Sequence, residues 1–278
     1  VSTPAVQAPE RVPWSELGGD MIAMWGRPGG KAQPEHVEIT GQTGSGKTYL
    51  LTALLQERAL LRGSSEILLA TKKQDATLEL LGWPVVDTWQ ELQRYRWATF
   101  WPRTAAKGTA RKEYHRKKIQ ELLDELWQED ANIVLAFDEV GYVESLSKEI
   151  RETVRMYWRE GRSQGITVIA MKQRPVGVVR DQHSETRWKF VFPPADHADM
   201  RRFAELLGPP REWEPVLQSL DQENHEFVVR SNEKNEAYIS WIDYPIEPIA
   251  AQSKEAQDAE RKPGPGGLYG QKRPARPR

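Results

Sequence analysis

Gly41-Gln42-Thr43-Gly44-Ser45-Gly46-Lys47-Thr48 follows the order Gly, four free positions, Gly, Lys, then Ser or Thr. The chemistry such a stretch can do is the grip of a nucleoside triphosphate. Gly41, Gly44 and Gly46 let successive N–H groups turn inward around phosphate, at the positive end of the helix that follows. Gln42, Thr43 and Ser45 complete the loop, Lys47 reaches the terminal phosphates, and Thr48 offers a hydroxyl to Mg2+. Chance can produce this spacing in a glycine-rich turn. The flanks argue otherwise: His36 to Thr40 alternates like a short strand, and Thr48 to Leu61 is rich in Leu and Ala, as a helix should be.

A second chemical centre follows the apolar run Ile133-Val134-Leu135-Ala136-Phe137, which ends in Asp138-Glu139. Carboxylates at the end of a buried strand need a partner. Beside a phosphate loop, Asp138 is placed to hold the magnesium shell, and Glu139 to orient or deprotonate an attacking water. A third polar ending, Lys172-Gln173-Arg174-Pro175, follows the apolar strand Ile166 to Met171, and its amide is placed to sense the terminal phosphate.

These endings must be brought to one place, and a parallel sheet does so at its carboxyl edge. Further strands are expected at Glu66–Ala70, Trp97–Trp101 and Trp188–Phe192, with a hairpin from Glu226–Arg230 and Ala237–Ile242. Helices are expected where Ile119, Leu122, Leu123, Leu126 and Trp127 share a face, over 147–162, and over 199–207 before Gly208-Pro209-Pro210. Residues 1–12 read as a flexible arm, 13–250 as one motor domain and 251–278 as a disordered basic tail containing Arg261, Lys262, Lys272, Arg273, Arg276 and Arg278.

Composition narrows the class. At 278 residues with a net charge of −1, the chain can bury a full core and is not a uniformly basic nucleic-acid binder, although local basic patches remain open. The run containing Arg103, Lys107, Arg111, Lys112, Arg116, Lys117 and Lys118 is such a patch; the bland reading is a solvated helix face, the functional one polyanion contact. Without cysteine there is no disulfide or thiolate metal site. No apolar run approaches the roughly 20 residues of a membrane helix, and no basic start precedes an apolar stretch, so a cytoplasmic protein is expected. The 11 tryptophans suit cores and interfaces better than base stacking.

With these residues placed, the chain resembles the FtsK/HerA superfamily of ring-shaped DNA-pumping ATPases over roughly residues 35–200. The resemblance rests on His36-Val37 before the glycine loop, Lys72-Lys73 after the second strand, Asp138-Glu139, and Gly165-Ile166 leading to Gln173-Arg174-Pro175. It implies an α/β, three-layer RecA-like P-loop core with a mostly parallel sheet, closed by a C-terminal β-hairpin and the tail. It implies ATP and Mg2+ as cofactors, with Gln173 on the terminal phosphate. Arg159 and Arg162 look like the family's paired arginines and Thr186-Arg187 like its Thr-Arg pair, so one of the three is expected to act across a subunit boundary. Implied partners are double-stranded DNA and further copies of the chain in a ring, a hexamer by resemblance, with a membrane or capsid partner compatible with it. The second strand lacks the Asp-Pro-Lys of many members, which leaves Lys72 and Lys73 without an assigned role. Two other functions fit the same motifs: a secretion-type ATPase moving polypeptide, and an ATP-gated assembly protein without catalysis, which Glu139 disfavours.

Overall fold

A computed structural model describes residues 8–24, 35–62, 64–72, 75–173, 184–233 and 236–247. Arg174-Pro175, Lys73 and the expected tail from 251 lie outside these residues, as does most of the arm. In chain order the strands are β1 (Glu10–Arg11), β2 (His36–Thr40), β3 (Ser65–Leu69), β4 (Val85–Val86), β5 (Trp97–Phe100), β6 (Ile133–Phe137), β7 (Ile166–Lys172), β8 (Thr186–Val191), β9 (Phe227–Ser231) and β10 (Ala237–Ser240). The helices are α1 (Trp14–Met24), α2 (Lys47–Arg62), α3 (Ala76–Glu79), α4 (Trp89–Leu92), α5 (Gly108–Leu126), α6 (Val140–Glu144), α7 (Lys148–Glu160), α8 (His197–Leu207) and α9 (Pro210–Gln218).

The strands form one sheet in the order β1-β10-β9-β8-β2-β7-β6-β3-β5-β4. Pairs from β8 through β2 to β4 are parallel, and β9 runs antiparallel to both β8 and β10, which makes the expected C-terminal hairpin. Alternation along each strand sorts side chains between two faces. Val134 and Ala136 of β6 meet Leu50, Leu51 and Leu54 of α2 on one face. Ile133, Leu135 and Phe137 meet Leu122 and Leu123 of α5 and Trp158 of α7 on the other. A third cluster joins Phe203 of α8 and Trp213 of α9 to Val191 and Val228 of β8 and β9. Helix, sheet and helix thus make three layers.

Several elements differ from the sequence reading. Glu10 and Arg11, assigned to the arm, pair in parallel with Tyr238 and Ile239. Residues 14–24 form a helix whose Trp14 is fully buried, with its indole N–H donating to Glu57. Pro209-Pro210 ends one helix and starts another, since Pro210 lacks only an N–H that a first turn leaves unbonded anyway. The polar positions of β2 are buried too: Glu38 accepts from Thr40 Oγ1 at 3.1 Å and lies 3.6 Å from Lys172 Nζ.

The α7-to-β7 connection needs a left-handed residue. Gly165 has φ of 82°, and a Cβ there would sit 3.1 Å from the backbone nitrogens of Ala131 and Asn132. Its carbonyl accepts from Ile133 N and so sets the start of β6. Gly165→Ala should therefore lower the melting temperature by roughly 5 °C, the effect of about 2 kcal/mol in a chain of this size. A calorimetric melt at the wild-type temperature would show that this turn is not constrained.

Candidate active site

Four parallel strands deliver their ends to one edge. Gly41 N donates to Lys172 O at 3.1 Å and Asp138 N to Leu69 O at 3.3 Å, so the phosphate loop, Asp138, Thr71 and Gln173 all come off the carboxyl edge of adjacent strands, Gly41 level with Gln173 and Asp138 two positions before them. They surround a cleft of about 460 Å³ lined by Lys47, Thr48, Lys72, Asp138, Glu139 and Gln173, among others. Of the loop residues, Thr43, Gly44, Gly46, Lys47 and Thr48 line it, whereas Gln42 and Ser45 face a smaller cavity behind the loop. Gly46 has φ of 98° and lies against His225, so the loop's inward turn depends on a missing side chain there.

Burial sets the electrostatics. Lys47 is 8% exposed and its Nζ donates to Gln42 O at 2.6 Å. Desolvation, and secondarily the charge of Lys72, bring its pKa down to about 8 against the pull of Glu139. Asp138 accepts from Thr71 N at 3.0 Å with both carboxylate oxygens, yet burial raises its pKa to about 6. Burial also raises Glu139, opposed chiefly by a hydrogen bond from the Gln173 side chain. The residues fit Mg2+: Thr48 and Asp138 bring a hydroxyl and a desolvated carboxylate into one cleft, oxygen donors of the kind a cation sharing its shell with phosphates uses.

Glu139 is the N-cap of α6 but makes no side-chain cap hydrogen bond there, so its carboxylate is left to the Gln173 side chain and to the cleft beside Lys47. The arrangement can hold a triphosphate and orient a water against its last phosphorus.

The three arginines are not brought to this cleft. Arg159 ends α7, and Arg162 lies in a 3-10 turn before β7, both exposed and without an ion pair among the described residues. Arg187 binds Glu35 Oε1 at 2.7 Å and also pairs with Glu233, neither of which is near it in sequence. Glu35 is buried and accepts from Trp188 Nε1 at 2.7 Å, so Arg187 serves to neutralise it. Conversely, Lys72 lines the cleft and acts electrostatically on Lys47, Asp138 and Glu139. His225, Tyr49 and Thr77 line it as well, and no spacing in the sequence pointed to them.

No family model matches the sequence, and no curated protein matches it. Solved structures do share the fold. The genome packaging NTPase B204 from Sulfolobus turreted icosahedral virus 2, in complex with AMPPCP, gives a TM-score of 0.57 over 77% of this chain and 100% of its own, at 15% identity. The pCW3 conjugation coupling protein TcpA, with ATPγS, gives 0.54 over 81% and 65% at 13% identity. The cytoplasmic domain of the Thermomonospora curvata Type VII secretion ATPase EccC gives 0.52 over 89% and 34% at 16% identity. The expected α/β, three-layer core with a mostly parallel sheet is the fold observed, and it is the fold these structures share with the chain.

Two substitutions separate binding from chemistry. Lys47→Ala should abolish triphosphate binding or weaken it at least tenfold. With Glu139 in the expected role, acting on water and not on the ground-state phosphates, Glu139→Gln should bind with near-wild-type affinity and turn over at least a hundredfold more slowly. Titration of a fluorescent ATP analogue alongside phosphate release distinguishes them; normal turnover in Glu139→Gln removes it from the reaction.

Proposed function

We propose that the chain is an ATP-hydrolysing motor that translocates double-stranded DNA, working as an oligomeric ring. The observation that carries the hydrolytic part is the meeting of Lys47, Asp138, Glu139 and Gln173 in one cleft at the sheet's carboxyl edge. The loop N–H groups and Lys47 bind the phosphates. Glu139 takes a proton from water as its oxygen attacks the terminal phosphorus, and the bond to the bridging oxygen breaks with its electron pair leaving on ADP. Gln173 keeps Glu139 in position and reports whether the terminal phosphate is present. Mg2+, held by Thr48 and Asp138, supplies charge neutralisation on the phosphates when bound.

The DNA substrate is supported by the company the fold keeps, a genome packaging NTPase and a conjugation coupling protein, although a secretion ATPase shares the same fold. Polypeptide translocation is the competing function on the same fold. Phosphate release measured with no polymer, with duplex DNA and with an unfolded polypeptide decides between them: duplex should stimulate severalfold, and stimulation by polypeptide alone would reverse the assignment.

Within the described residues no arginine reaches the cleft, so the charge developing in the transition state is met by an arginine from a neighbouring subunit, a contribution on the order of a thousandfold or more. Arg162 is the first candidate, being exposed and without an ion pair among the described residues, with Arg159 next; Arg187 is committed to Glu35. Lys47→Ala and Arg162→Ala proteins should each be inactive alone and regain activity when mixed. Full activity of Arg162→Ala alone would remove it from the role, and specific activity independent of protein concentration would count against the ring.

A further inference from the structure

Part of the basic run in the sequence is left unused by the fold. Arg103 is held by Asp87 at 2.9 Å and faces Glu91, Arg116 is held by Glu113, and Lys118 by Glu121. Lys107, Arg111 and Lys112 make no ion pair among the described residues, and every residue from 107 to 113 is exposed. The core contacts of α5 begin only at His115. Its first two turns therefore stand in solvent.

Their composition has no structural reason. The start of a helix carries positive partial charge, yet Lys107, Arg111 and Lys112 gather there with no acid in the first turn and no side-chain cap. Charges of one sign at that end oppose the helix they sit on. An exposed, unpaired cluster of this kind is complementary to a regular array of phosphates, and a duplex backbone offers one negative charge about every 1.7 Å of axis.

A second feature connects this cluster to the cleft. His115 is the first buried residue of α5, and its Nδ1 is hydrogen-bonded to the Tyr142 hydroxyl at 2.9 Å, with the two rings edge to face. Tyr142 belongs to α6, the five-residue helix whose N-cap is Glu139. Arg111 is close enough to act electrostatically on both rings. A push or pull on the start of α5 thus has a short route to the carboxylate proposed to activate water. It passes through one hydrogen bond and one turn of helix.

We propose that the exposed start of α5, carrying Lys107, Arg111 and Lys112, is a contact for the phosphate backbone of duplex DNA, and that the His115–Tyr142 bond passes its occupancy to Glu139. This rests on the DNA-motor reading given above and adds to it a place of contact and a coupling element. Tyr142 acts here as a positioning residue, since it touches neither nucleotide nor DNA. Bound phosphates relieve the repulsion at the helix start, α5 settles with His115, and α6 follows through Tyr142.

Two variants of the full chain test it, with a mixed-sequence duplex as the probe. Replacing Lys107, Arg111 and Lys112 by Gln should make the slope of log affinity against log salt shallower by about 2 to 3, one contact per cation, and should weaken stimulation of ATP turnover by DNA. Tyr142→Phe keeps the ring and removes the hydroxyl; it should retain wild-type DNA affinity and salt slope while losing most of the stimulation. A role confined to stability would lower the melting temperature without separating those two readouts. A wild-type salt slope in the triple variant overturns the contact, and full stimulation in Tyr142→Phe overturns the coupling. A wild-type protein that neither binds nor responds to duplex overturns the motor reading itself, whereas a wild-type response with unaffected variants refutes this inference alone.

Discussion

The buried and mutually unpaired charges at the carboxyl edge are what the rest of the structure has to support. Lys47 and Asp138 are both more than nine-tenths withdrawn from solvent, and no ion pair joins them among the described residues. Lys47 leans on a backbone carbonyl and Asp138 on one backbone N–H. Burial penalises both charged forms, which is why one pKa falls to about 8 and the other rises to about 6. The penalty on Lys47 is full below pH 8 and gone above its ordinary 10.5; that on Asp138 is full above pH 6 and gone below its ordinary 3.8. Near neutral pH the fold carries both. A triphosphate with its cation restores to each group the opposite charge it lacks, so binding energy and relief of burial act in the same direction.

Holding those groups in place is the work of the parallel ladder. Thr40 lies opposite Lys172, Ala170 opposite Phe137, and Phe137 opposite Leu69, so Gly41 and Gln173 leave the sheet side by side and Asp138 leaves it two positions earlier, at the same edge. A slip by one residue in any pair would turn Asp138 or Gln173 to the wrong face. Register is fixed by the division of side chains between two apolar layers, with Ile133, Leu135 and Phe137 committed to one and Val134 and Ala136 to the other. Catalytic geometry is in this sense set by core packing.

That logic explains what could be read in the chain. The phosphate loop and Asp138-Glu139 were legible because each follows an apolar run with the period of its element, and Gln173 because it ends another. Trp14 to Met24 was not, because Gly18, Gly19 and a mean composition without a clear stripe hide a helix held by long-range contacts such as Trp14 to Glu57. Pro209-Pro210 reads as a stop, and only tertiary contacts of Trp213 and Leu217 show that a helix begins there. Lys72 and His225 reach the cleft from a strand end and a distant loop, and only the folded chain brings them together. Arg187 shows the reverse: its motif-like position beside Thr186 is real, but its partner Glu35 lies 152 positions away in sequence, a distance no spacing argument covers.

The placement of the arginines carries one more physical consequence. Glu35, His36, Arg162 and Arg187 belong to the amino ends of β2, β7 and β8, and Arg162 acts electrostatically on Glu35 and His36. The phosphate loop, Asp138-Glu139 and Gln173 follow the carboxyl ends of β2, β6 and β7. Five residues of strand separate the two edges by about 17 Å, too far for any side chain of one edge to serve the other within the same subunit. A single copy therefore carries Lys47, Asp138 and Glu139 at one edge and the exposed Arg162 towards the other. On the reading proposed above, head-to-tail contact between copies would unite them, and heterologous contacts of this kind close into rings when the rotation permits. Hydrolysis in one copy would then be conditional on its neighbour, the coupling that the proposed motor requires.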